Sequence, residues 1–104
     1  MRSDFGETSE AIFLTSGFRY QSAEEAAARF AGEAEGFVYS RFANPTVRMF
    51  EERMALLEGA EAACATASGM AAVNAALLCQ LKAGDHVVGA RALFGSCRYI
   101  LDEV

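Results

Sequence analysis

The rhythm of apolar and polar positions changes along the chain. Over residues 1–21, Ile12, Phe13, Leu14 and Phe18 are scattered among Ser, Thr and Gly, which predicts an extended arm. Ser22-Ala23-Glu24-Glu25 is a capping box, so a helix is predicted from there to about Ala31, with Gly32 and Gly36 punctuating its end. Residues 37–43 hold Phe37, Val38, Tyr39 and Phe42 and read as extended. In extended backbone, residues i and i+2 point the same way, so Tyr39 and Arg41 are expected to share a face. Asn44 then caps a second helix, with Pro45 at its first position, where the missing N–H costs nothing. Val47, Phe50, Met54 and Leu57 recur at helical spacing and predict a buried stripe, and Gly59 ends the helix. Arg48 and Glu52, four apart, are expected to pair on the surface for about 0.3–0.5 kcal/mol.

The second half is more apolar. Residues 62–66 are small and predict a buried strand. Ser68 is placed to cap a helix over 69–82 that is apolar almost all round, the pattern of a helix enclosed on several sides. Lys82, the sole lysine, would then sit in its last turn, where the helix dipole favours a cation. Gly84-Asp85 predicts a turn, 86–90 a second strand, and a final helix starts near Ser96. Strand, helix, strand, helix is the opening of a parallel α/β layer. No internal repeat or low-complexity stretch is visible. The apolar residues of the arm need a surface to pack on, and another subunit is one candidate.

Length bounds the chain at one small domain of 104 residues. At 53% hydrophobic with a single proline, it has enough apolar material for a core, which argues against disorder. The net charge of −5, without a basic cluster, argues against nucleic acid or an anionic membrane surface as partner. Cys64, Cys79 and Cys97 form no C-x-x-C and leave an odd count, so they are expected to be small buried residues in a reducing compartment, the cytoplasm. No basic-plus-apolar leader begins the chain, so secretion is not indicated. The longest apolar run, 70–81, is interrupted by Asn74 and Gln80 and is too short to cross a bilayer.

Candidate chemistry is confined to a few positions. At Ser68-Gly69-Met70 a helix N-terminus offers unpaired N–H donors and about half a positive charge, a natural seat for phosphate. An ordinary serine cap followed by a packing glycine explains the same letters. Arg41 can bind phosphate through two parallel hydrogen bonds, and Tyr39 can add its hydroxyl; a surface Arg beside a half-buried Tyr is the plain alternative. Phe94, after the second expected strand, could lie flat on a planar cofactor or simply pack in a core. His86, the only histidine, has no partner ligand in the sequence and reads as structural. Asp4, Glu7 and Glu10 read as solvated carboxylates of the arm.

Taken together, the ordered stretches Y-S-R-F-A-N-P-T, L-L-E-G-A-E-A-A, A-S-G-M-A-A, K-A-G-D-H-V-V and A-L-F-G-S-C resemble the Cys/Met-metabolism family of pyridoxal phosphate (PLP) enzymes, from about Asp4 to the last residue. The resemblance implies an N-terminal arm with a short helix for intersubunit contacts (1–43), and the beginning of the large PLP-binding α/β domain of a fold-type-I transferase (44–104). It implies that Tyr39 and Arg41 hold the cofactor phosphate of the neighbouring subunit, while the amides of Gly69 and Met70 hold it within their own, next to the candidate Ser68. Phe94 matches the ring stacked on the pyridine; many relatives carry Tyr there, so the stack is kept and the hydroxyl lost. The Schiff-base lysine and the Asp partner of the pyridine nitrogen are expected beyond Val104, Lys82 does not match the former, and the chain is expected to cover about the first quarter of such a protein and to be inactive by itself. The arm and the L-F-G-S-C segment look most like the branch that replaces the succinate of O-succinylhomoserine with sulfide, giving homocysteine for methionine biosynthesis in a homodimer or homotetramer. Cystathionine γ-synthase and γ-lyase branches share the phosphate motifs. A reading of another class is a non-catalytic oligomerisation module built on the arm and the helix pair.

Overall fold

The computed structural model describes residues 4–103, and α-helix is their only regular element. In chain order the helices are α1 (Ala23–Ala31), α2 (Pro45–Glu58), α3 (Gly69–Leu78) and α4 (Gly95–Glu103). The chain divides into two compact units, Met1–Cys64 and Ala65–Val104.

In the first unit, both helices start and stop where their local chemistry dictates. Ser22 is extended and its Oγ accepts from the Glu25 N–H at 3.1 Å. Glu25 reaches back to accept from the Gln21 N–H at 2.6 Å, so the box closes one residue ahead of the cap. Gly32, at φ 75°, and Gly59, at φ 63°, end α1 and α2 in the left-handed conformation that side-chain-bearing residues avoid. Asn44 is extended, as a residue before proline must be, and its Oδ1 accepts from the Thr46 N–H at 2.8 Å. Arg48 and Glu52 pair at 3.0 Å, as their spacing predicts.

Residues 37–43 differ from expectation. Instead of running on as extended backbone, the chain turns: the Tyr39 carbonyl accepts from Phe42 N–H at 2.9 Å and from Ala43 N–H at 3.2 Å. The arm supplies the reason. Gly17 and Tyr39 form an isolated antiparallel bridge, and Ser40 N–H donates to the Ser16 carbonyl at 2.9 Å. With no longer ladder to follow, the chain bends directly after the bridge. Phe18 and Phe37 pack with ring centroids 5.3 Å apart, and Tyr20 and Phe30 at 6.2 Å. Arg53 pairs with Glu10, so this carboxylate is engaged with α2 where a solvated one was expected.

The stripe on α2 is not buried: Phe50 is 55% and Leu57 77% exposed. The arm offers no cover, since Ile12 and Leu14 themselves face outward. Among the described residues only Asn44 and Pro45 are buried, and no hydrophobic side chain is.

In the second unit, α3 packs against α4. Helix α3 ends at Leu78, four residues before the expected Lys82, because the next turn tightens: Gln80 N–H donates to the Leu77 carbonyl at 3.1 Å. The Asp85 carboxylate then captures the Lys82 N–H at 2.8 Å, and Gly84 turns at φ 96°. Lys82 therefore lies outside the helix. No residue of α3 is fully buried, so the packing against α4 covers only part of its all-round apolar surface within this unit. Residues 62–66 and 86–90 form no strand. A strand exists only through a neighbour's ladder. Cys64 and Cys79 are exposed and Cys97 half-buried, contrary to the burial expected of them. His86 is exposed, and no group of three or more His, Cys, Asp or Glu among the described residues could hold a metal ion. Among the described residues, no helix is long and apolar enough to cross a membrane.

Candidate functional site

The first unit presents a guanidinium on an aromatic turn. Arg41 Cζ lies 5.4 Å from the Tyr39 ring centroid and 5.2 Å from that of Phe42. The two rings meet edge-on, 6.3 Å apart at 70°. Tyr39 and Arg41 thus come together as expected, but through the turn and a cation–π contact instead of through i, i+2 alternation. Arg41 is exposed and joins no ion pair among the described residues, so its charge is available to an anion.

The turn is held from behind. Asn44 Nδ2 donates to the Phe13 carbonyl at 3.0 Å and to Ser40 Oγ at 2.9 Å, while Ser40 Oγ donates to the Thr15 carbonyl. Phe13 N–H in turn donates to Thr46 Oγ1 at 2.9 Å. Sequence reasoning found Asn44 as a cap but missed its second role. The signal was available: Ser and Asp cap as well as Asn, and only Asn brings an NH₂ group that needs acceptors of its own.

The second unit presents a helix start. Ser68 is extended and its Oγ accepts from Ala71 N–H at 3.2 Å; its carbonyl accepts from Ala72 N–H at 3.1 Å. Gly69 and Met70 occupy the first helical positions, where the N–H groups have no intrahelical acceptor. Nothing lies within 4 Å of where a Cβ on Gly69 would project, so the approach to these donors is open. The Ser68 hydroxyl, accepting from Ala71, keeps its proton to donate outward. Phe94 is 71% exposed, and its carbonyl accepts from Cys97 and Arg98 N–H at 2.9 and 3.1 Å, so its ring stands at the start of α4. The groove between α3 and α4 is a separate feature: about 380 Å³, apolar, and lined by residues such as Val73, Leu77, Cys97 and Leu101.

Each unit by itself offers groups that suit a phosphate ester: a guanidinium and a phenol in the first, main-chain N–H groups, a hydroxyl and an exposed aromatic ring in the second. The whole chain, residues 1–104, matches the family described as Cys/Met metabolism PLP-dependent enzymes. The chain belongs to that family. Among curated members of this PLP-dependent family, it is 58% identical over all 104 residues to O-succinylhomoserine sulfhydrylase of Mycobacterium tuberculosis, covering 26% of that protein. It is 54% identical over 102 residues to the O-succinylhomoserine sulfhydrylase of Pseudomonas aeruginosa, covering 25%. It is also similar to L-methionine gamma-lyase of Porphyromonas gingivalis, 43% identical over 91 residues and covering 23%. The chain thus spans about a quarter of the length of the curated relatives it matches.

Proposed function

We propose that this chain is the cofactor-anchoring N-terminal part of an O-succinylhomoserine sulfhydrylase, in which sulfide replaces succinate at Cγ to give homocysteine and free succinate. The observation that carries the reading is 58% identity to one such sulfhydrylase, in a chain whose first unit presents a guanidinium on Tyr39 and whose second presents an open helix start at Gly69. Arg41 and Tyr39 bind the phosphate of the neighbouring subunit's PLP. Ser68, Gly69 and Met70 bind that of their own, and Phe94 lies on the pyridine face. When bound, PLP supplies the electron sink that lets protons leave Cα and Cβ and succinate leave Cγ. The residues of this chain bind and orient the cofactor; the cofactor-linking lysine and the proton-transferring groups are supplied by the remainder of the protein, and Lys82 is not among them.

In this reading residues 1–43 form an arm for intersubunit contacts, and 44–104 begin a fold-type-I α/β domain. Residues 62–66 and 86–90 become strands once neighbouring strands supply ladders. The enzyme is a homodimer at least, and a homotetramer of two such dimers. It works in the cytoplasm, a reducing compartment that suits an odd count of cysteines without C-x-x-C spacing.

The test is PLP titration of the full-length apoenzyme. Arg41→Ala removes a charge-assisted pair worth about 1.5–3 kcal/mol, so affinity falls at least tenfold. Unchanged affinity refutes the assignment. The resemblance to a methionine gamma-lyase favours a second reading, elimination without a nucleophile. Assay with O-succinylhomoserine, with and without sulfide, separates them: homocysteine and succinate formed with sulfide support the sulfhydrylase, whereas 2-oxobutyrate, ammonia and succinate as the main products with and without sulfide support elimination.

A further inference from the structure

The Tyr39–Arg41 turn has few supports of its own. Tyr39 is 41% exposed and Arg41 lies on the surface, yet directly behind them is Asn44, one of only two buried residues described, at 8% exposure. Every polar atom of its amide is engaged. Oδ1 caps α2 at Thr46, while the two Nδ2 hydrogens serve Phe13's carbonyl and Ser40's hydroxyl. Ser40, between Tyr39 and Arg41, passes the connection on to the Thr15 carbonyl through its hydroxyl and to Ser16 through its N–H. Cap, turn and arm thus share one node. A cap needs only the Oδ1 contact; the two Nδ2 contacts tie the turn to residues 13–16 instead.

We infer that Asn44 and Ser40 are positioning residues for the phosphate-binding turn: they lock Arg41 in its presenting geometry by fastening the turn to the N-terminal arm, so that the arm sets cofactor affinity from within its own chain. This rests on the assignment of Arg41 to the PLP phosphate. The physical reason is preorganisation. An exposed Arg on an untethered turn loses rotamer and backbone freedom when it binds an anion, whereas a tethered one has already lost much of it.

Two substitutions in the full-length protein separate positioning from capping. Asn44→Ser keeps a good, neutral cap for α2 and removes both Nδ2 donors. Ser40→Ala removes the link to Thr15 and leaves the cap untouched. Gly59→Ala is the stability control: it strains the left-handed end of α2 at φ 63° and touches neither arm nor turn. PLP binding to the apoenzyme is read by titration, and amide hydrogen exchange at Phe13 and Ser40 is read without cofactor. Asn44→Ser and Ser40→Ala are each expected to weaken PLP binding about tenfold, the scale of one or two lost hydrogen bonds, and to speed exchange at both amides. Gly59→Ala is expected to lower the melting temperature while leaving PLP affinity unchanged. If Asn44→Ser and Ser40→Ala bind PLP within about twofold of wild type while Arg41→Ala does not, the positioning role is wrong and the phosphate assignment stands. If Gly59→Ala weakens binding equally, the effect is general instability and the inference fails. If Arg41→Ala itself binds PLP normally, the phosphate assignment falls and the inference with it.

Discussion

At the scale of single residues, the two that matter most are legible for opposite reasons. Gly69 lacks a positive φ, and a Cβ there meets nothing within 4 Å, so the fold of this chain does not require glycine. A requirement for it must come from what approaches from outside. Gly69→Ala is therefore expected to leave helicity and melting temperature of the full-length protein intact while PLP affinity drops, because the methyl stands in front of the α3 donors. Equal PLP affinity in glycine and alanine versions, measured by titration, contradicts a phosphate seat there. Phe94 is exposed, so only a ligand or the rest of the protein gives its ring a purpose. Phe94→Tyr keeps the stacking face and is expected to preserve the cofactor's absorbance; loss of that spectrum contradicts the stack.

At the scale of elements, helix ends were readable from letters because caps act over three or four residues. Ser22, Asn44 and Ser68 each accept the N–H that their position demands. Removing the Ser22 hydroxyl (Ser22→Ala) is expected to cost α1 about 1 kcal/mol, seen as a lower melting temperature of the full-length protein. The arm's attachment to α2 was not readable, since Glu10 and Arg53 are far apart in sequence. A hydrogen bond from its own backbone N–H, followed by the charge of Arg53, holds the Glu10 carboxyl below its ordinary value of 4.5. A lowered folded-state value means that the pair's contribution is complete above 4.5 and is lost as pH falls through the lowered value. Arg53→Ala is expected to move the Glu10 titration, followed by carboxyl-carbon NMR, part of the way back up; a titration that does not move contradicts the coupling. Where the elements depart from expectation, a neighbour is the reason. The turn at Tyr39 follows from a bridge to Gly17, and the short α3 follows from Asp85 capturing the Lys82 N–H.

At the scale of the whole molecule, a chain that is 53% hydrophobic buries no hydrophobic side chain among its described residues. Burial of apolar area is the main favourable term in folding, and without it local caps cannot support a cooperative transition. The 104-residue chain alone is expected to melt without a calorimetric peak while its far-UV circular dichroism still shows helix. A sharp two-state transition contradicts the absence of a core. The apolar faces of α2 and α3 are real sequence signals that stay largely exposed in their own units, so burial was the property that periodicity could announce but not locate.

The sequence by itself determined the existence of the four helices, the caps that start α1, α2 and α3, and the glycine stops of α1 and α2, because each is set by contacts a few residues apart. Tertiary structure alone decided that Tyr39 and Arg41 meet in a turn, that Asn44 spends its amide on residues 13 and 40, and that residues 62–66 and 86–90 form no strand. Such outcomes depend on which distant backbone groups come within hydrogen-bonding reach, and no local pattern encodes that.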